Sequence, residues 1–278
     1  MSLPSVDALP ERSIVAARIV VALWLVGWTS KCVLFLEYFF KTLVTHPMVN
    51  DFFPAFFRSP LVAQVAYMLP LLALPVFVSR RQVWFCLAAI VLSVSSVLLL
   101  LHQDSANDAT FETSFWVGAW LVWFSFSMRR RDSEFFLHAR SLALCVIAIQ
   151  FCGGFVGKLT SEYWSGQVLA DMFMEQKQGL AASWVRAHFD EATIRIWFQW
   201  ISKCLIVGEG ALALAPLLPY RLVCYTGIPF MLSFALFKTW MIYSVLSCLI
   251  GLLIAGWMLI AQEVADTDSA SLRHKYPT

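Results

Sequence analysis

Leu142-Ala-Leu-Cys145-Val-Ile-Ala-Ile149-Gln150-Phe-Cys152-Gly153-Gly154-Phe155-Val156-Gly157-Lys158 decides the class of this chain. From Leu142 to Val156 there is no charge, and Gln150 is the one strongly polar side chain. A run of this kind reads as a helix that crosses a bilayer, since helical backbone satisfies its own hydrogen bonds in hydrocarbon. Lys158 stands at its end. A lysine there either snorkels to the interface or serves a site, and the glycines beside it leave room for a ligand or a second helix.

The rest of the chain has the same character. Of 278 residues, 60% are hydrophobic and 14% charged, well below the quarter or so of charged residues in soluble domains. Apolar stretches long enough for a hydrocarbon core of roughly 30 Å recur throughout, without the alternation of β-barrel strands. The expected fold is therefore an all-α integral membrane protein, a bundle of about eight transmembrane helices forming one domain over residues 1–278. The spans fall near 14–40, 61–79, 83–101, 113–128, 139–158, 195–217, 221–237 and 240–262. The first is too long for one crossing, and its half from Lys31 through Glu37 to Lys41 is expected at the membrane surface. It opens with Glu11 and Arg12, contains Arg18, and lacks a small-residue cleavage pattern, so it reads as retained.

Arg80-Arg81, Arg129-Arg130-Arg131, Arg221, Arg273 and Lys275 fall on one side by alternation. The stretch from Gln103 to Glu112 is acidic and lacks Lys or Arg. The positive-inside rule then puts both termini in the cytoplasm and the acidic loop outside, against which Lys41, Arg58 and Lys177 count. Lys158 and the long segment 160–194 fall outside as well. That segment mixes Trp164, Met172, Phe173, Met174, Trp184, His188 and Phe189 with charges, the composition of amphipathic helices at an interface. A connection of this length is often a lid or a substrate cover.

A net charge of +2, with no basic tract interleaved with aromatics, gives no indication of nucleic acid. The seven cysteines lie singly in apolar segments and read as small buried hydrophobes, with no zinc or redox spacing. The five histidines lack metal-ligand spacing, and nucleophile-elbow, P-loop and dinucleotide motifs are absent. The twelve tryptophans read mostly as lipid-facing and interfacial anchors.

Ionisable groups within the spans are the candidates for chemistry: Lys31, Lys158, Lys203, Glu209 and Lys238, with His102 at the outer end of the third helix. Glu209 sits between Gly208 and Gly210, two residues that each cost a helix roughly 1 kcal/mol. Its carboxylate is either open to a ligand or to Lys158, or part of a helix-packing ion pair. Lys203 shares a face with Gln199 and Trp200, which account for it structurally. Lys158 can be a base in a desolvated pocket or the partner of Glu162 four residues on. Gly154, Gly157, Trp164 and His102 complete the candidate binding residues.

The pattern Gly154-x-x-x-Lys158-Leu159, followed by Trp164-x-Gly166, resembles the lysine-containing segment of the vitamin K-dependent γ-carboxylase membrane domain. It is similar also to its bacterial relatives, the horizontally transferred transmembrane (HTTM) family, which includes a maturation membrane protein for a sporulation-delaying toxin. Ala17-Arg18-Ile19, the stretch from Thr45-His46 through Asn50-Asp51 to Pro54, and Glu209 match more softly. The resemblance implies that Lys158 is the base that deprotonates a reduced quinone, that Glu209 is its partner, and that the outer segment covers the quinone. Where the carboxylases carry His and Asn in a late helix, the stretch Pro229–Phe237 has Phe230 and Ser233. No large soluble domain follows the last helix in this sequence, and full γ-glutamyl carboxylation is not expected.

Three function classes follow. The first is a bacterial inner-membrane protein that assists maturation, modification or export of, or immunity to, a secreted peptide or toxin. The second is a carboxylase- or epoxidase-like enzyme with a lysine base and a reduced quinone. The third, a transporter, has no inverted repeat behind it.

Overall fold

The computed structural model describes residues 11–38, 54, 56, 59–77, 81–102, 109–127, 133–175, 180–237 and 243–275. Every regular element among them is helical: α1 (Glu11–Tyr38), α2 (Pro60–Leu72), α3 (Leu74–Phe77), α4 (Gln82–His102), α5 (Ala109–Ser127) and α6 (Ser133–Gly157) come first. Then follow α7 (Ser161–Trp164), α8 (Gln167–Glu175), α9 (Leu180–His188), α10 (Glu191–Ala213), a 3-10 turn at Ala215–Leu217, α11 (Tyr220–Phe237) and α12 (Tyr243–Lys275). Three of these helices are long and apolar enough to cross a membrane, over Ser13–Ser30, Gln82–Leu101 and Glu134–Gly157. Shorter apolar helices run over Leu61–Phe77 and Ser244–Ile260.

Most boundaries lie within a few residues of those expected, and the departures have local causes. The span expected at 61–79 is broken at Ala73, between Pro70 inside α2 and Pro75 inside α3, because each proline lacks the N–H that would continue the ladder. Helix α6 starts at Ser133, six residues before the expected span, since Phe135, Phe136 and Ala139 bury one face of a turn that the charges of Glu134 and Arg140 mask in the sequence. The span expected at 195–217 starts at Glu191, where Asp190 caps it, and leaves α-geometry after Ala213 ahead of Pro216 and Pro219. Lys41, His46, Arg58, Arg80, Arg129, Lys177 and Lys238 lie outside the described residues, as do the side chains of Lys31 and Glu37.

Helices α1 and α12 form the most extensive contact and run antiparallel: Gly27 lies against Ser244, and Gly251 against Val20 and Leu23. A Cβ on Gly27 would come within 2.5 Å of the Ser244 carbonyl oxygen, so this position lets two backbones meet. Helices α4 and α5 pair in the same sense, with Gly118 against Ser93 and the Gln82 amide donating to the Ser125 carbonyl at 2.7 Å.

Several polar side chains inside the bundle pair across helices. The Trp24 indole donates to Ser114 at 3.1 Å, Thr110 and Ser244 hydroxyls lie 2.6 Å apart, and Thr113 donates to the Gln150 side-chain oxygen at 3.1 Å. Trp28 and Tyr67 exchange bonds, each ring donating to the other's carbonyl, with the rings stacked at 5.2 Å. Three tryptophans depart from the expected outward placement. Trp24, Trp28 and Trp120 are core residues whose N–H groups find acceptors in the interior, while Trp84, Trp164, Trp184, Trp197 and Trp200 are exposed. The cysteines divide too: Cys86, Cys224 and Cys248 are buried, but Cys145, Cys152 and Cys204 lie on the outside of the fold.

A second, smaller core lies apart from the main one. Leu169, Ala170 and Phe173 of α8 pack on Ile194, Phe198 and Leu205 of α10, with Val185 and Phe189 from the α9 region against them. The described residues of the long segment 160–194 are thus largely helical, as α7, α8 and α9, and are built onto α10.

Candidate functional site at Lys158 and Glu209

Helix α6 ends at Gly157, and the chain turns through Leu159 before Thr160 caps α7 by accepting from the Tyr163 N–H. The turn directs Lys158 away from Glu162, which is exposed. The proposed Lys158–Glu162 pairing therefore gives way to another. The Lys158 ammonium reaches across to α10 and donates to both carboxylate oxygens of Glu209, at 2.9 and 2.8 Å, and to the Gly154 carbonyl at 3.2 Å. Three acceptors thus meet three ammonium protons. The side chains are 14% and 7% exposed, so the pair is largely desolvated.

The glycines around Glu209 are explained by what they seat. A Cβ on Gly208 would run into the Phe230 ring, and one on Gly210 would lie 2.9 Å from the Phe155 ring. The two phenyl groups close on α10 on either side of the carboxylate, and this packing offsets the helix cost of both glycines. Gly154 plays the matching part on α6: a Cβ there would sit 3.0 Å from a Glu209 oxygen and 3.4 Å from the ammonium. Tyr163 adds its ring 5.9 Å from the ammonium.

Of the residues singled out in the sequence, Lys158, Glu209 and Gly154 come together. Gly157 is exposed and a Cβ on it would meet no atom within 4 Å, and Trp164 is exposed on α7. His102 closes α4, and its side chain lies outside the described residues. Lys203 does stack on Trp200, its ammonium 5.0 Å from the ring. Phe155 and Phe230 were not among the candidates; the Gly208-Glu209-Gly210 triplet was the signal, since paired glycines mark close approach by bulky neighbours. Ser202, also unanticipated, donates to the Tyr163 carbonyl and joins α10 to α7.

Above the pair, Arg195 is held by Glu191 at 2.9 Å and Asp171 at 3.0 Å. Asp190 caps α10, and hydrogen bonding to the Thr193 side chain and then to its N–H holds the Asp190 carboxyl below its ordinary 3.8. A lowered carboxyl stabilises the fold above its ordinary value, and that contribution disappears as pH falls through the lowered one. The Thr193 amide resonance therefore shifts on acidification below the ordinary carboxylate range, and Asp190→Asn, which caps without titrating, abolishes that shift. An unchanged titration in Asp190→Asn contradicts the assignment.

As an arrangement, the site keeps one ammonium fully engaged between a carboxylate and a carbonyl, inside aromatic walls. Lys158 can accept a proton from a ligand only after its own has passed to Glu209, whose oxygens are both in reach. Among the described residues no group of three His, Cys, Asp or Glu gathers to hold a metal ion. No protein-family model, curated protein or solved structure matches the chain.

Proposed function

We propose that this chain is a multi-pass protein of the horizontally transferred transmembrane type, with about eight spans in a bacterial inner membrane and both termini cytoplasmic, and that it assists the maturation or modification of a secreted peptide. The observation that carries the accessory role is the wall beside Glu209. The resemblance expects polar groups in the late helix, and Phe230 instead packs its ring on Gly208 while Lys158 has all its protons engaged. On this reading the pair holds a peptide or lipid-soluble ligand in place.

The test is the secreted peptidome of the native host with and without the chain. The mature form of one small secreted peptide is expected to be lost, its precursor remaining; an unchanged peptidome overturns the accessory role.

The second reading is an enzyme acting on a reduced quinone. The Tyr163 ring 5.9 Å from the ammonium and the reach of both Glu209 oxygens favour it, because a flat wall beside a carboxylate–ammonium pair suits an acidic ring hydroxyl.

A further inference from the structure

One face of α10 is apolar and uncovered for most of its length. Ile196, Trp200, Val207 and Leu214 are exposed at intervals of four, seven and seven residues, which places them in one stripe along a helix. Arg195 turns away from it and is tied to Asp171 on α8. Below Trp200 the stripe passes through Cys204 and Val207, beside the bundle. Above it, the stripe joins an aromatic cluster on the small outer core. Phe189 lies 4.4 Å from Trp197 and 6.0 Å from Trp184, and His188 stacks on Trp184 at 4.7 Å, by ring centroids.

Lys203 gives this surface a direction. It lies within the stripe, yet its ammonium is turned back over Trp200, toward the N-terminal end of α10 and the outer core. A lysine on a lipid-facing stripe carries its charge toward the nearer water boundary, and tryptophan is the side chain that settles at that boundary. The level of Trp200 and Lys203 is then the edge of the hydrocarbon. We infer that Trp184, Trp197 and Trp200, with Lys203, form a lipid-binding collar that seats the α7–α9 subdomain on the headgroup layer. Glu209 follows Trp200 by nine positions, so its Cα lies about 13 Å further along α10 at 1.5 Å per residue.

This inference rests on the membrane placement proposed above and not on the peptide role. The full chain, carrying the photo-cross-linker benzoylphenylalanine at position 191, 197, 200 or 207, is reconstituted in phosphatidylcholine vesicles, irradiated, and its adducts are read by mass spectrometry. Lipid adducts are expected at 207, 200 and 197, and none at Glu191, which is tied to Arg195 on the polar side. Adducts at 207 without any at 197 and 200 overturn the collar while leaving the membrane placement intact. Cross-links from 197 and 200 to protein, from this chain or another, overturn it as well. Absence of lipid adducts at 207 contradicts the membrane placement itself.

Discussion

Replacing Glu209 with glutamine destabilises the protein by about 3–5 kcal/mol, the cost of stranding a desolvated charge. Lys158 would keep only the Gly154 carbonyl and one neutral amide oxygen as acceptors, with its ammonium still largely out of water. Lys158→Met leaves the opposite orphan, an unpaired carboxylate between two phenyl rings, and has an effect of similar size. The double variant Lys158→Met/Glu209→Leu recovers most of the loss, because removing both charges removes the desolvation penalty along with the attraction. Unfolding in mild detergent against rising dodecyl sulfate measures all three. Single variants as stable as the wild type would show that the two side chains are not paired.

The second large effect is expected at Gly166. Its φ of +79° lies in the left-handed region, and a Cβ there would stand 2.5 Å from both the Cα and the N of Gln199. Those atoms belong to the backbone of α10 and cannot step aside as a side-chain tip would. Backbone strain and overpacking together put the cost of Gly166→Ala at about 2–4 kcal/mol. The damage is local at first: α7 and α8 lift from α10, and the bond from Ser202 to the Tyr163 carbonyl opens. Hydrogen exchange across 161–175 then quickens before the rest of the bundle responds. Wild-type exchange in Gly166→Ala would mean that this turn does not hold the second core.

Much of this architecture is legible in the sequence, for a physical reason. An apolar run such as Leu142 to Val156 has few options other than helix, so class and helix order follow from composition and length. The pairing of Lys158 with Glu209 was one of two open alternatives, and the rival Glu162 required the helix to continue past Gly157. Whether it continues depends on the Thr160 cap, a local competition that periodicity does not reveal. The interior tryptophans were hidden for a different reason. An indole looks the same in sequence whether it faces lipid or finds an acceptor such as Ser114 or the Tyr67 carbonyl, and only the packed helices decide. The glycine triplet at 208–210 advertised a close contact, but Phe155 and Phe230 are distant in sequence and nothing local names them.

On the proposed reading the Lys158–Glu209 pair holds a ligand, beyond its part in the fold. Mass spectrometry of the lipids, quinones and peptides that co-purify with the wild type and with the folded double variant Lys158→Met/Glu209→Leu tests it most directly. One species is expected to be enriched on the wild type and absent from the double variant, a peptide on the accessory reading and a quinone on the enzymatic one. The same set of molecules on both proteins would contradict it and leave the pair a structural link between α6 and α10.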